Sequence, residues 1–350
     1  MTAVLVSPQL TPSAARARGV WAAAATRFRT DKVGMASLIV VVFFLLVVLA
    51  AALGLVAKDW QVERGVPDAP PTFVGPAAKT AAVAIAAPSG PNVDISAVDP
   101  LAPKYAEWAE AAKKYQTTEA ARATTLPFGG DRLGRDVLAK AIKGAEVSIL
   151  VGVAAAAVAT LIGTLLGAVA GFFGGKIGDF LEWVYNVFTA MPSILLIFAF
   201  AAVFPRGVGS VVLILGLAGW TGIYRLVRAE FIKHAVRDYV RSAEAIGAST
   251  ASRMFRHILP NVSHVVLVQL SIHVVGFIKS EVILSYLGLG VGVDQVSWGT
   301  MLSEAQSELI LGHWWQLAAA TILMAVFVTA FSLMTDALRD ALDPKLRGLE

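Results

Sequence analysis

Six long apolar runs limit what this chain can fold into. The first, residues 35–57, contains no charged residue. A bilayer span needs about 20 apolar residues, whereas the apolar core of a secretory signal has only roughly 7–15. We therefore expect a retained transmembrane helix here, with signal cleavage after Ala51 or Ala52 as the alternative. Because 57% of the residues are hydrophobic and only 15% are charged, the composition is typical of an integral membrane protein.

The other five runs predict five further spans. The second run is rich in Gly and Ala, which let helix backbones approach closely. The third contains Met191-Pro192, where we expect a kink. The predicted fold is thus an all-α membrane protein with six transmembrane helices. The five runs are residues 148–173, 181–204, 208–224, 262–289 and 314–333.

Lys and Arg are frequent in three parts of the chain: residues 1–34, residues 225–261 and residues 339–350. Residues 58–147 carry many as well, but a long translocated loop escapes the positive-inside rule. Between Lys279 and Arg339 there is no Lys or Arg. The positive-inside rule therefore predicts that these three parts, and both termini, lie in the cytoplasm. The same bias accounts for the pI of 9.3, so we predict a lipid bilayer and no nucleic acid as partner.

These boundaries predict five consecutive parts. They are a cytoplasmic segment (1–34), the first transmembrane helix (35–57), an extracytoplasmic insertion (58–130), a core with five further spans (131–338) and a cytoplasmic tail (339–350).

The extracytoplasmic insertion is rich in Ala and Pro, which predicts irregular, partly extended chain. Within it, residues 103–123 have a helix-forming composition, with Tyr105, Trp108 and Tyr115 interspersed. This part would either contact a partner or act as a solvated spacer. Residues 129–147 show apolar side chains at helical spacing among charged ones, which predicts an amphipathic helix on the membrane face.

Residues 225–261 are polar and cationic, although they lie between two apolar runs. Asp238 is predicted to cap a helix that runs through Ile246, and Gly247 suits the left-handed position after it. Ser249 is predicted to cap a second helix that stops at Pro260. A structured basic loop of this kind indicates a docking site, and a solvated basic face is the alternative.

No enzymatic or metal chemistry is predicted. The chain lacks cysteine and a phosphate-binding G-x-x-x-x-G-K-[ST] motif, and its five histidines have no metal-ligand spacing. Lys279 and Glu281 do interrupt the fifth span, with His273 about two turns earlier. These three residues are predicted to line a polar translocation path. The alternative is a position near the outer interface, with Lys279 snorkelling or paired to Glu281.

Three segments carry a resemblance to a known family. GDRLGRDVLAKAIKGAEVSILVG before the second span, ILSYLGLGVGVDQVSWGTML after the fifth and DALRDALDPKLRG in the tail resemble the inner-membrane permeases of peptide-type ABC importers, the dipeptide and oligopeptide C subunits. With the loop described next, the resemblance covers about residues 131–348. Residues 58–125 exceed the family's usual first external loop.

The 225–261 loop is similar to the family's coupling motif, in which an E-A-A triplet precedes a Gly and, farther on, L-P. Gly247, Leu259 and Pro260 match it, but the triplet position reads Arg241-Ser242-Ala243, with a cation in place of the acid. Glu244, one turn on, is the alternative acid. The resemblance implies that the ATPase-coupling residues are Tyr239, Arg241, Ala243, Glu244, Ala245, Gly247, Ala248, Ser249, Arg253, Phe255, Leu259 and Pro260.

The resemblance implies a permease of the type I ABC importer fold in the bacterial inner membrane. Such a subunit pairs with a homologous permease, two ATPase subunits and an extracytoplasmic binding protein. ATP and Mg²⁺ would be bound by the ATPases, and this chain would bind no cofactor. Peptides are the expected substrate. The alternatives are nickel or another small solute, an ATPase-independent channel or membrane anchor, and a membrane-embedded enzyme.

Overall fold

The computed structural model describes residues 20–76, 99–114 and 122–342. The predictions for Tyr115 and for most of the two terminal segments lie outside these ranges. Within them the backbone forms helices and a few isolated β-bridges. In chain order the helices are α1 (Val20–Thr30), α2 (Lys32–Ala52), a 3₁₀ turn (Ala102–Lys104), α3 (Tyr105–Lys114), α4 (Val137–Phe173), α5 (Gly175–Thr189), α6 (Ser193–Val203), α7 (Val208–Gly219), α8 (Thr221–Ala235), α9 (Asp238–Ala245), α10 (Thr250–Ser252), a π-helical turn (Arg253–Ile258), α11 (Leu259–Tyr286), α12 (Trp298–Ile310) and α13 (Trp315–Leu342).

Four helices of the described residues are long and apolar enough to cross a membrane, and two bent helix pairs raise the total to as many as six. The long helices are α2, α4, α11 with the turns before it, and α13. The pairs are α5–α6, bent by 87°, and α7–α8, bent by 44°. Pro192 begins α6 and disfavours a helical conformation at Met191 before it. The predicted kink is therefore a sharp break.

α4 lies at the centre of the bundle and packs against α2, α7, α8, α11 and α13. Three of its glycines face α8 at four-residue spacing. A Cβ atom at Gly167 would lie 2.7 Å from the carbonyl oxygen of Tyr224, and one at Gly171 would lie 2.5 Å from that of Arg228. At Gly163 it would meet Ile223 and the backbone of α8. The predicted close approach of helix backbones is confirmed at this interface.

The two ends of the bundle differ. At one end lie α9, the end of α13 and the start of α2, where a Cβ atom on Gly34 would lie 2.6 Å from that of Ala337. At the other end lies α12, with residues 58–76 bridged to residues 122–136. Trp315 Nε1 donates a hydrogen bond to Gly130 O over 2.6 Å and fixes these segments to α13. We call these the α9 end and the α12 end.

Several predicted boundaries are wrong. The first span ends at Ala52, because Gly54 and Ala57 adopt positive φ angles of 69° and 56°. The sixth span continues to Leu342, although polar residues enter its last turns. α12 was not predicted, although Ser297 and Thr300 form the capping box that begins it.

The surface helix predicted over residues 129–147 is also wrong. Asp136 accepts hydrogen bonds from the backbone N–H groups of Leu138 (2.8 Å) and Ala139 (3.2 Å), so the helix begins at Val137. From there α4 runs without a break into the second span. Two of the cations that made this segment look amphipathic, Arg135 and Lys140, belong instead to an ion cluster described below.

Candidate functional site: the loop between α8 and α11

A glycine turn shapes the loop between α8 and α11. Gly247 has a φ angle of +87°, and its N–H donates to Glu244 O over 2.9 Å. The N–H of Ala248 donates to Ala243 O over 2.9 Å. This pair of bonds is the Schellman motif, which closes a helix through a left-handed residue. The left-handed turn predicted at Gly247 is therefore confirmed.

The predicted caps are confirmed in one case and wrong in the other. Ser249 Oγ accepts from Ser252 N over 3.3 Å and caps α10, as predicted. Asp238 is not a cap, because Arg237 occupies the N-cap position of α9 without a side-chain bond. Asp238 instead lies in the first turn, where its negative charge interacts favourably with the positive end of the helix dipole.

Pro260 does not end the second helix of the loop. It lies in the first turn of α11, where a missing N–H is tolerated. A π-helical turn lies immediately before it. The helix is wider there, so the proline ring avoids the backbone carbonyls of the preceding turn. The carbonyl of His257 accepts a hydrogen bond from Asn261 Nδ2 over 2.7 Å. Residues Thr250–Tyr286 consequently form one continuous helix that joins the loop to the fifth span.

One face of the loop is buried against the bundle. Val240 (2% exposed) and Met254 (3%) join a core cluster with Phe231 of α8 and Ala168 of α4. Ala243 is also buried. Ala243, one of the predicted ATPase-coupling residues, and Met254 therefore lie inside the chain. Their packing fixes α9 to α4, α8 and α11, so the loop is held by three membrane-spanning elements.

The opposite face of the loop is exposed and partly apolar. Ile246 is 86% exposed at its tip, and Phe255 and Tyr239 are 44% and 38% exposed. Arg241 and Ala245 also lie on this side, and Ala248 is half-buried. An exposed apolar tip with a charged rim is the arrangement found at protein interfaces.

Glu244, the predicted substitute for the missing acid, is paired within the loop. Its carboxylate lies 2.6 Å from Nη1 of Arg253. The Arg253 guanidinium also lies over the ring of Phe172, 5.4 Å from its centroid. The pair joins α9 to the helix that follows the turn and ties both to α4. Arg241, at the position where the coupling motif predicts an acid, is exposed.

Tyr239 connects the loop to the end of α8. Its hydroxyl lies 2.8 Å from Nδ1 of His234. Burial raises the pKa of the Tyr239 hydroxyl above its ordinary value, against weaker opposing effects of Asn261 and Arg237. The phenol is therefore neutral near pH 7 and keeps its proton for hydrogen bonding.

The three ionisable residues of the fifth span occupy different surroundings. Glu281 is fully buried, and its carboxylate accepts 2.6 Å hydrogen bonds from the hydroxyls of Ser148 and Ser285. Lys279 is exposed, and the structure does not pair it with Glu281. His273 is half-buried and stacks on Phe277 with ring centroids 5.4 Å apart. A role for all three in a translocation path stays a prediction.

The part of the chain that contains this loop is also the part that matches a known protein family. The sequence profile of the family described as "binding-protein-dependent transport system inner membrane component" matches residues 163–348. This match takes in more than half of the chain, including the loop and all helices from α5 onward. The chain belongs to this family of inner membrane components.

Several curated relatives of this inner membrane component are known. The oligopeptide transport system permease protein OppC of Bacillus subtilis is 33% identical over 67% of this chain and 78% of its own length. The dipeptide transport system permease protein DppC of the same organism is 36% identical over 63% of this chain and 69% of its own length. OppC of Escherichia coli is 36% identical over 71% of this chain and 82% of its own length.

This inner membrane component also contains a buried ion cluster that the sequence analysis missed. Lys140 is 1% exposed, and its ammonium donates to Asp131 Oδ2 over 2.7 Å, to Glu304 and to Gln316 Oε1 over 3.3 Å. Arg135 Nε donates to the same Asp131 oxygen over 2.7 Å. The cluster joins the segment before α4 to α12 and α13 at the α12 end. No sequence pattern links residues so far apart in the chain.

Two carboxyl groups of this region have shifted pKa values of opposite sign. Burial alone would raise the pKa of Asp131, but the positive charge of Lys140 and the hydrogen bonds from Lys140 and Arg135 hold it below its ordinary value. Burial raises the pKa of Glu308, against a hydrogen bond from the backbone of Arg132.

Among the described residues there is no group of three or more His, Cys, Asp or Glu side chains that could hold a metal ion.

Proposed function

We propose that this chain is a membrane-spanning permease subunit of an ATP-driven importer of peptides. Its membership of the inner membrane component family supports the transport role, and relatives named as oligopeptide and dipeptide permeases support the substrate class. The observation that carries the proposal is the loop between α8 and α11. It has an exposed apolar tip and a face buried against three membrane-spanning elements.

We place the α9 end in the cytoplasm, with both termini, and the α12 end outside the bacterial inner membrane. Clustered Arg and Lys residues at the α9 end support this orientation. They include Arg225, Arg228, Lys233, Arg237 and Arg241. In this orientation the loop tip faces the compartment that contains ATP, and α12 faces the side from which a binding protein would deliver its ligand.

The partners in this proposal are a homologous second permease, two ATPase subunits and an extracytoplasmic binding protein. In this proposal the ATPase subunits would bind ATP and Mg²⁺, and this chain would supply no catalytic group. Its predicted docking residues would contribute in two ways. Ile246, Tyr239 and Phe255 would enter an apolar pocket of the ATPase, while Arg241 would meet an acidic group at the rim.

The proposed coupling mechanism follows from how the loop is held. When the two ATPases close on ATP, the docked tip has to move with them. Its second half is continuous with α11, and its first half follows α8 after a two-residue turn. Because Val240 and Met254 pack on α4 and α8, displacement of the tip reaches several spans together. A rigid-body rearrangement of these spans would then switch access between the two sides.

The test is to tag the chain in its native cells and to purify it in a mild detergent. We expect the second permease and both ATPases to copurify, and the reconstituted complex to take up labelled dipeptides when ATP and the binding protein are present. Recovery of no ATPase would contradict the importer function. An intact complex that hydrolyses ATP but takes up no peptide would contradict only the substrate class.

A further inference from the structure

A groove between α11 and α13 contains two opposite charges that the described residues leave without a partner. Its cavity of about 210 Å³ is lined by Lys279 and Gly276 of α11 and by Asp336 of α13, with hydroxyl residues around them. Both charged side chains are exposed. In the part of the chain that the structure describes, neither forms an ion pair or a hydrogen bond.

The groove lies within the membrane-spanning region. α11 and α13 pack against each other and both qualify as spans. Asp336 is next to Ala337, which packs at the start of α2, so it lies toward the α9 end. Lys279 is about two helical turns before Tyr286, the last residue of α11, so it lies farther toward the α12 end. The two charges are therefore placed one after the other along the direction of transport.

The unpaired charge of Lys279, at its depth in α11, does not fit a lipid-facing surface, whereas Asp336 lies near the α9 end of α13. A charged side chain in a span is costly unless it faces a protein interior or a water-filled cavity. The groove is open beside Gly276, where a Cβ atom would meet nothing within 4 Å. The hydroxyls of Ser271 and Thr335, which also line it, bond to backbone carbonyls of their own helices. In the described part of the chain, the two charges and the hydroxyl of Ser332 are the polar side chains of the lining without a partner, so they are the groups left to bind a ligand.

We propose that this groove is a binding subsite for the terminal charges of a peptide on its way through the membrane. Lys279 would attract the terminal carboxylate, and Asp336 would attract the terminal ammonium group. This inference rests on the proposed function, because a peptide with free ends is the substrate that carries both charges. A second permease subunit that pairs with Lys279 and Asp336 is the competing occupant.

The absence of cysteine from the chain makes a direct test possible. Gly276→Cys places a thiol in the groove without a collision and keeps both charges. In vesicles with the complete complex, we expect a charged, membrane-impermeant thiol reagent to label this cysteine, and labelling to be lost while the complex transports a dipeptide. Gly209→Cys, at a second open helical glycine, is the matched control, and its labelling should not depend on the dipeptide.

Adding Lys279→Gln to Gly276→Cys should remove the protection of the cysteine by dipeptide. Lys279→Gln alone should raise the KM for uptake by roughly tenfold or more, which is the loss expected for a charge-assisted hydrogen bond. Lys176→Gln, at an exposed lysine outside the groove, should leave the KM unchanged. A cysteine at position 276 that is never labelled, or that is labelled equally with and without dipeptide, overturns the subsite. If the wild-type vesicles take up no dipeptide, the proposed function itself fails.

Discussion

At the scale of single residues, Gly247 is the position where a small change should uncouple transport. Its φ angle of +87° is unfavourable for any residue with a Cβ atom, although the space around it is open. We expect Gly247→Val to cost about 1–2 kcal/mol of local stability and to displace the exposed tip at Ile246. Uptake should fall to background while the protein is still inserted, as measured by transport and by membrane fractionation.

Gly312 provides the control for this prediction. It also follows a helix, has a φ angle of +90° and has no neighbour within 4 Å, but it lies at the α12 end. Gly312→Val should carry the same backbone cost without loss of ATPase binding. Normal uptake by Gly247→Val, or equal loss of ATPase binding in both variants, would contradict a docking role for the turn.

Local rules placed the turn residues Gly247 and Ser249 correctly, although they misplaced the cap at Asp238, and they could not identify distant partners. Gly247 and Ser249 could be placed from the sequence because each acts on neighbours within a few residues. Glu281 could not be, because one of its partners, Ser148, is on another span. The sequence shows that a carboxyl group lies within an apolar run, but the hydroxyl that holds it is determined only by helix packing.

At the scale of the helices, the contact between α4 and α8 depends on glycine. A Cβ atom at Gly167 would lie 2.7 Å from the carbonyl oxygen of Tyr224, a backbone atom that cannot rotate away. Gly167→Ala should therefore push α8 outward and destabilise the protein by about 1–3 kcal/mol, the usual cost of overpacking. The measurement is the thermal unfolding midpoint in detergent. Because α8 leads into the loop, uptake should fall as well.

Gly276→Ala is the matched control, since the added methyl group meets no atom within 4 Å and alanine favours a helix. It should unfold at the same temperature as the wild type or slightly higher. If Gly167→Ala were equally stable, the close approach of α4 and α8 would not be a tightly packed contact.

The helix boundaries show what apolar periodicity can and cannot predict. Long runs such as residues 148–173 gave the spans, because length and apolar content are local properties. The predicted surface helix over residues 129–147 failed because Lys140 and Arg135 were assigned to solvent. They are instead bound by the carboxylates of Asp131, in the same segment, and Glu304, in α12. α12 was missed because it is amphipathic and short, and only the Ser297 cap marks its start.

At the scale of the whole molecule, the ion cluster joins elements that are far apart in the sequence. Asp131 precedes α4, Glu304 belongs to α12 and Gln316 belongs to α13, and Lys140 binds all three. Removing one partner of a buried ion pair typically costs about 3–5 kcal/mol, because the other charge stays buried. Asp131→Asn should therefore lower the thermal unfolding midpoint near neutral pH. Asp179→Asn, at an exposed aspartate outside the described ion pairs, should not.

The same cluster predicts how stability depends on pH. The pKa of Asp131 is lower in the folded protein than in the unfolded chain, where it is about 4. Its contribution to stability is thus fully present above that pH and is lost as the pH falls through the lower, folded-state value. Glu308 has a raised pKa, so its contribution has the opposite sign and is lost as the pH rises through its folded-state value. Below about pH 4, we expect the wild-type unfolding midpoint to fall more steeply than that of Asp131→Asn. If the unfolding midpoints of the two proteins fell equally as the pH was lowered, Asp131 would not contribute to the stability of the α12 end.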